Sequence, residues 1–279
     1  ALYSNTTGFQ NVAIGRDALY SNTTVGGLTA VGVNALKANT TGTSNIALGH
    51  NSLMQNTTGA ANTAVGTSAM FYNSTGVYNT AIGTDALYLN TTGGYNNAFG
   101  YGTMYSNTTG ASNTASGWRT LKSNTTGSAN SAFGQQALYS NTTGGSNVAI
   151  GNSALYNNTT VSNLTAVGFD ALKANTTGTA NVAVGHSALY ANTTGAQNVV
   201  VGTSALMSNT TGGGNTAVGA NGVLFLNTTG SHNTALGVSS LRVNSTGMYN
   251  TAVGSGALYQ NTTGSYNNAS GYATLYSNT

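Results

Sequence analysis

Apolar and polar residues recur along this chain with a fixed period of 17 residues. One representative unit, whose residues we number as positions 1 to 17, reads Asn45-Ile-Ala-Leu-Gly-His-Asn-Ser-Leu-Met-Gln-Asn-Thr-Thr-Gly-Ala-Ala61. Position 3 is Ala except at Val200, position 4 is mostly Val, Ile, Leu or Phe, and position 9 is almost always Leu or Met. A period this strict predicts one small structural unit stacked many times, each covering its apolar side with its neighbours.

Two segments of each unit, around positions 1–5 and 8–12, are short, β-compatible and separated by Gly or Asn-Thr-Thr-Gly, which predicts two short strands and two turns. Recurrent Gly and abundant Thr, Asn and Ser disfavour a helix. Because side chains alternate along a strand, we expect positions 4 and 9 to point into a thin core, partly joined by position 2. Ala at positions 3 and 8 and Tyr at position 10 are then expected on the other face. The predicted fold is all-β: a β-solenoid (β-roll) of about sixteen 17-residue coils.

Position 5 is Gly in every unit, and we expect each of these glycines to supply a positive φ at a corner of the coil. They are Gly15, Gly32, Gly49, Gly66, Gly83, Gly100, Gly117, Gly134, Gly151, Gly168, Gly185, Gly202, Gly219, Gly237, Gly254 and Gly271.

We interpret residues 1–279 as a single continuous repeat array and, because it starts and ends within a unit, as a fragment of a longer fibre. One extra residue near 220–226 shifts the phase, and we expect it to form a local bulge instead of a domain boundary. A longer repeat is superimposed on the 17-residue period. Leu28 and Leu164 replace the Asn of position 1, and Val25 and Val161 replace the Gly of position 15, which indicates an eight-coil duplication.

Composition narrows the class of protein. Only 3% of residues are charged, Pro and Cys are absent, and 16 Tyr and 39% hydrophobic residues recur at fixed spacing. Disordered chains have abundant Pro and few aromatics, so we exclude disorder. No disulfide framework is possible, and no apolar run approaches the roughly 20 residues of a membrane span. The net charge comes from only six basic against three acidic residues, and the Lys and Arg residues among the Tyr of position 10 fit a stacked ladder better than a nucleic-acid-binding stripe, so we expect no nucleic-acid partner.

The residues that carry chemistry are scarce and far apart. They are His50, His186, His232, Asp17, Asp85 and Asp170. The three Asp share position 7 with gaps of four and five coils, about 20 Å at strand spacing, whereas paired catalytic carboxylates lie within about 10 Å. We therefore predict no enzyme, no metal site and no cofactor other than covalent glycans. The frequent Tyr of position 10, interrupted by Lys or Arg, is expected to form a stacked ladder.

The Asn of position 12 allows two interpretations. Asn-x-Thr is the acceptor pattern for N-glycosylation, and it lies in a turn, where a sugar would be exposed. Alternatively, stacked amides hydrogen-bond from coil to coil, and the Asn of position 1 suits this second arrangement better. The glycosylation candidates are Asn5, Asn22, Asn39, Asn56, Asn73, Asn90, Asn107, Asn124, Asn141, Asn158, Asn175, Asn192, Asn209, Asn227, Asn244 and Asn261.

The run Asn-Thr-Ala-Val-Gly-x-x-Ala-Leu-Tyr-x-Asn-Thr-Thr-Gly, intact at 250–264, resembles the repeats of bacterial and bacteriophage tail-fibre-type surface proteins. The shorter Asn-Val-Ala-Ile-Gly at Asn11 and Asn147 is similar to the head repeats of trimeric autotransporter adhesins. The resemblance implies a left-handed β-roll, often trimeric, that lies outside the cell or on the virion surface and serves in attachment.

We therefore expect a non-enzymatic extracellular fibre, glycosylated, that acts as an adhesive or surface-appendage shaft. Its expected partners are copies of itself, as a homotrimer or a single-chain filament, and a cell-surface or glycan receptor. The alternative is an ice-binding β-solenoid, which needs two Thr columns on one flat face. The two turn threonines are neighbours that should point apart, and position 2 is Thr in only half of the coils, which disfavours that alternative.

Overall fold

The computed structural model describes residues 1–278 and consists there of short strands and turns. The chain divides into two compact units, Ala1–Thr143 and a second unit that begins at Gly144. Within the described residues no helix is present that could cross a membrane.

The first unit contains eight strands of three residues each. They are β1 (Val12–Ile14), β2 (Thr29–Val31), β3 (Ile46–Leu48), β4 (Thr63–Val65), β5 (Thr80–Ile82), β6 (Asn97–Phe99), β7 (Thr114–Ser116) and β8 (Ser131–Phe133). Each strand pairs in parallel with the next one in sequence, and residues one period apart face each other, as Ala47 faces Ala64. One strand per coil, stacked in sequence order, is a β-solenoid, as the period predicted.

The second unit repeats this arrangement. Its strands are β9 (Val148–Ile150), β10 (Thr165–Val167), β11 (Val182–Val184), β12 (Val199–Val201), β13 (Thr216–Val218), β14 (Thr234–Leu236), β15 (Thr251–Val253) and β16 (Asn268–Ser270). Between β13 and β14 the facing residues, Val218 and Leu236 among them, are 18 residues apart instead of 17. The extra residue lies in the bend at 219–221, and the ladder resumes in β14 and β15, so the insertion is a local bulge as expected.

The second strand predicted for each coil is absent among the described residues, since positions 8–11 form a turn and position 12 belongs to no strand. The reason is the backbone of position 9, whose Leu and Met residues all have φ between 47° and 53°. This left-handed conformation costs an L-residue about 1 kcal/mol or more. It persists because the Leu side chain is fully buried and its N–H still finds the next coil, as Leu53 N donates to Ala69 O at 3.0 Å.

The predicted orientation of the core was wrong for positions 3, 4 and 8. The middle residue of each strand, Ala in all but β12, points inward, and Ala47 has no exposed surface, whereas Leu48 at position 4 is 37% exposed. With strands of only three residues, positions 2 and 4 must both point away from position 3. Positions 8 and 9 are both buried, as Ala69 and Met70 show, because alternation does not apply within a turn.

The sixteen glycines of position 5 end the strands. Their φ values lie between 117° and 146°, in agreement with the prediction. A Cβ atom at Gly49 would also lie 2.5 Å from the carbonyl oxygen of Gly66 in the next coil. Conformation and close approach of neighbouring backbones therefore both require glycine at this corner. The left-handed sense of the coil stays a prediction.

Candidate functional surfaces

The Asn residues of position 12 stack inside the solenoid, in what we call the turn ladder. Asn73 is representative: its Nδ2 donates to Asn56 Oδ1 at 2.8 Å and to Gly76 O at 3.1 Å. Asn90 Nδ2 in turn donates to Asn73 Oδ1 at 2.7 Å. Such an amide joins its own turn to the preceding coil, and both of its N–H groups are used.

The Asn residues of position 1 form a second column, which we call the strand ladder. Asn62 accepts at Oδ1 from the backbone N–H of Asn79 at 3.0 Å, and its Nδ2 donates to Gly76 O at 2.8 Å. The same Gly76 oxygen accepts from Asn73 of the turn ladder. Two side chains from opposite ends of the coil therefore meet on one buried carbonyl and close the coil around it.

The glycosylation candidates lie within the turn ladder. Every one of them from Asn22 to Asn261 has no exposed surface, and only Asn5 is partly exposed. A sugar would bond to Nδ2, the atom that donates to the neighbouring amide and to the turn carbonyl. An occupied Asn would have to leave the ladder and expose its amide. Glycosylation of this column stays a prediction, and the amide geometry counts against it.

The glycines of position 15 make room for the turn ladder. A Cβ at Gly59 would lie 2.5 Å from Gly76 O and 2.8 Å from Asn73 Nδ2, between two successive amides. In the first unit Val25 occupies this position and Leu28 replaces the next strand-ladder Asn. Both are buried, at 9% and 0% exposure. We call this pair, and its counterpart Val161 and Leu164 in the second unit, the aliphatic plug.

The outer surface of the strands, the sheet face, consists of the side chains of positions 2 and 4 and carries no charged residue in any coil. Position 4 forms an exposed aliphatic and aromatic column, with Ile82 at 41% and Phe99 at 38% exposure in the first unit. The column is interrupted by Ser116 and Ser270. The sequence assigned these side chains to the core. The signal that would have placed them outside is the small, constant Ala between them, which fits a narrow interior.

Position 10 forms the stacked ring column that the sequence predicted. Tyr88 and Tyr105 lie with ring centroids 4.9 Å apart and an interplanar angle of 10°. Burial raises the pKa of both phenols, and neighbouring Tyr72 adds to the effect at Tyr88. Lys37 interrupts the column with its Nζ 5.8 Å from the Tyr20 ring centroid, so cations continue the stack through cation–π contacts.

Within residues 1–278, charged side chains form two partly buried ion pairs. Lys37 and Asp17 lie 3.1 Å apart in the first unit, and Lys173 and Asp170 lie 3.1 Å apart in the second. Residues 1–278 hold no group of three His or Asp side chains that could bind a metal ion. The absence of enzymatic activity stays a prediction.

No protein-family model matches the chain, and comparisons with curated proteins and with solved structures gave no match either. The resemblance to tail-fibre and adhesin repeats rests on the sequence motifs alone and stays a prediction.

Proposed function

We propose that this chain is a non-enzymatic structural fibre segment that associates with further copies of itself through the sheet face. The observation that carries the proposal is the exposed apolar column of position 4. Exposed apolar patches of this kind mark interaction sites on soluble proteins. Since the column also contains no charge, its occupant must be uncharged and apolar along its length.

A second copy of the chain fits that description best. It offers the same side chains at the same strand spacing, so two or three parallel copies can match coil for coil. Association would remove side chains such as Leu48 and Ile82, 37% and 41% exposed in the single chain, from water. The extracellular location, the adhesive role and the homotrimer come from the resemblance and belong to the same proposal.

The test is the molecular mass in solution of the chain and of a variant with two cations on the sheet face, Ile82→Lys with Phe99→Lys. We expect the natural chain to sediment as an oligomer and the variant as a monomer with an unchanged circular dichroism spectrum. The matched control is Tyr78→Lys, at position 17, which is 57% exposed and lies outside the sheet face. A natural chain that stays monomeric at every concentration, or a variant that keeps the oligomer mass, contradicts the proposal.

The turn-ladder sequons enter this proposal as structural elements. From Asn22 to Asn261 the amides have no exposed surface, and amides such as that of Asn73 donate two hydrogen bonds, which supports unoccupied asparagines. The intact mass of chain secreted from a glycosylating host measures this directly. A series of masses separated by whole glycans would contradict it.

Ice binding remains a second candidate because of one observation. Thr63 and Thr80 of position 2 face outward beside the apolar column on short parallel strands, and the Thr of position 14 is exposed in every turn from Thr7 to Thr263. Thermal hysteresis of the purified chain separates the candidates. A hysteresis that disappears in the Ile82→Lys and Phe99→Lys variant would favour ice binding, and none at all would remove this candidate.

A further inference from the structure

Three successive coils of the first unit form a notch beside the ring column. The notch has a cavity volume of about 310 Å³, at the lower end of the range for small-molecule sites. It is lined by Asp85, Tyr101, Gly102, Tyr105, Arg119 and Lys122, and we call it the charged notch. Its residues occupy positions 6, 7 and 10, so it lies apart from the sheet face of positions 2 and 4.

The notch exists because Gly102 lacks a side chain. Its φ of 60° does not require glycine, since Asp85 and Arg119 at the same position of the adjacent coils have φ values of 57° and 51°. A Cβ on Gly102 would meet only Arg119 Cγ, at an ordinary contact distance of 3.6 Å. Neither the backbone conformation nor crowding therefore requires glycine at this position. The effect of the missing side chain is the open space of the notch.

The charges around the notch are not paired with one another. The structure joins Asp17 and Asp170 to lysines at 3.1 Å, but it contains no ion pair between Asp85 and either Arg119 or Lys122. Burial raises the pKa of the Asp85 carboxyl. The chain has only 6 cations and 3 carboxylates, so two cations and a carboxylate at one notch are a marked concentration.

Aromatic rings complete the site. The Arg119 guanidinium lies 4.5 Å from the ring centroid of Trp118, the single Trp of the chain, and 5.9 Å from that of Tyr101. Lys122 Nζ lies 3.4 Å from the hydroxyl of Tyr139. The rings hold both cations at the rim of the notch without neutralising them.

We propose that the charged notch binds an acidic sugar. Arg119 and Lys122 supply charge-assisted donors for its carboxylate. Asp85 accepts hydrogen bonds from ring hydroxyls, and the Tyr rings offer apolar surface to the C–H face of the pyranose. A simple inorganic anion fits less well because it has no hydroxyl group to donate to Asp85. The site belongs to one unit of one chain, so it does not depend on the self-association proposed above.

The experiment is a titration of the whole chain with methyl β-D-glucuronide, followed by saturation-transfer NMR, with methyl β-D-glucoside and inorganic sulfate in parallel. We expect binding of the glucuronide with a Kd of roughly millimolar order, as for a shallow site, and at least about tenfold weaker binding of the other two probes. Equal binding of the glucoside, or of sulfate, would overturn the acidic-sugar assignment, as would no glucuronide binding at all.

Two variants locate the site. Gly102→Asn fills the notch with a residue that position 7 already accepts at Asn34 and Asn51, with φ of 61° and 59°. We expect it to weaken glucuronide binding about tenfold or more, since the ligand loses its space. The matched control Gly256→Asn places the same side chain at another position-7 glycine and leaves binding unchanged. Equal binding by both variants and the natural chain would overturn the location.

Charge provides an independent check. Lys122→Gln removes an unpaired cation of the notch and is expected to weaken the glucuronide without affecting the glucoside. Lys37→Gln removes a cation from the same column position, but one that is already paired with Asp17. A loss of the same size in both variants would show a general charge effect and overturn the assigned role of Lys122.

Discussion

The coil from Asn62 to Tyr78 and the coil that contains Val25 close their interiors in the same way but differ in how they bond to the following coil. In the former, two amides converge on the Gly76 carbonyl and the turn ladder continues on both sides. In the latter, Asn11 and Asn22 still converge on Val25 O, at 2.8 and 3.0 Å.

The difference lies in the bond to the following coil. Asn39 Nδ2 donates to Gly42 O at 3.0 Å, and Asn22 Oδ1 is left buried without a hydrogen-bond partner. The Cβ of Val25 stands where the next amide would approach, as the crowding at Gly59 shows. One lost bond to a buried acceptor costs about 1–3 kcal/mol, and the burial of Val25 and Leu28 offsets a cost of that size. The solenoid thus tolerates an interruption of its ladder where two aliphatic residues replace Gly and Asn together.

The largest effect is expected within the uninterrupted ladder. Asn73→Ala removes two donated bonds and one accepted bond and leaves buried partners behind, so the free energy of unfolding should fall by about 3 kcal/mol or more. Asn39→Ala, beside the plug, removes one donated and one accepted bond and should cost about 1 kcal/mol less. Denaturant unfolding of the whole chain measures both.

The control for Asn73→Ala is Thr75→Val, which abolishes the same glycosylation sequon but keeps the amide. Thr75 is exposed, so we expect a change of less than about 0.5 kcal/mol. Equal costs for Asn73→Ala and Thr75→Val would show that the amide contributes nothing.

A methyl group at position 15 should break the ladder where no plug compensates. In Gly76→Ala the new Cβ would meet Asn73 Oδ1 and, at 2.5 Å, Gly93 O, so we expect a loss of about 2 kcal/mol. Thermal unfolding of this variant, compared with Gly102→Asn, where space is open, measures the effect of crowding alone. A Gly76→Ala variant as stable as the natural chain would refute the close packing of the amides.

Conversion of the plug into a ladder coil should show coupling between its two residues. Val25→Gly alone leaves a void, and Leu28→Asn alone places an amide beside Val25. Only the double variant combines the space for the bond between Asn22 and Asn39 with an Asn at position 1, as in the uninterrupted coils. We expect it to be about 1–2 kcal/mol more stable than the sum of the single changes, measured in a double-mutant cycle. Additive changes would mean that Val25 and Leu28 act independently.

The smallest effect is expected for the Thr of position 13. It should be the same in the coil that contains Leu28 of the aliphatic plug and in the next, uninterrupted coil. Thr40 Oγ1 donates to Thr57 O at 3.0 Å in the coil of Leu28, and Thr57 Oγ1 donates to Ser74 O at 3.1 Å in the next coil. Thr40→Val and Thr57→Val should each cost about 1 kcal/mol or less, because one partly exposed hydrogen bond is lost. A clear difference between the two costs would show that the plug also alters the turn outside the ladder.

The period, the β-solenoid class, the corner glycines and the Tyr stack could be predicted because each depends on one column of identical residues. The orientation of Ala47 and Leu48 could not, since apolar volume suggested that the larger residue is buried, while the narrow coil admits only the smaller one. The prediction of a second strand was wrong for a related reason. Leu53 adopts a φ of 48°, a left-handed conformation that is locally unfavourable for Leu, so the sequence did not indicate it. The charged notch was also missed, because Gly102 looks like any other turn glycine until its neighbours show that the turn does not need it.

The sequence by itself determined the repeat, because a strict 17-residue spacing of Gly, Ala and Leu allows few ways to bury every unit. Only the tertiary structure decided what the Asn columns do. An Asn-Thr-Thr turn can face water or the interior, and the choice depends on whether the neighbouring coil brings a second amide within hydrogen-bonding distance. Here it does, at 2.8 Å between Asn73 Nδ2 and Asn56 Oδ1, and the amides are buried because each one satisfies the next.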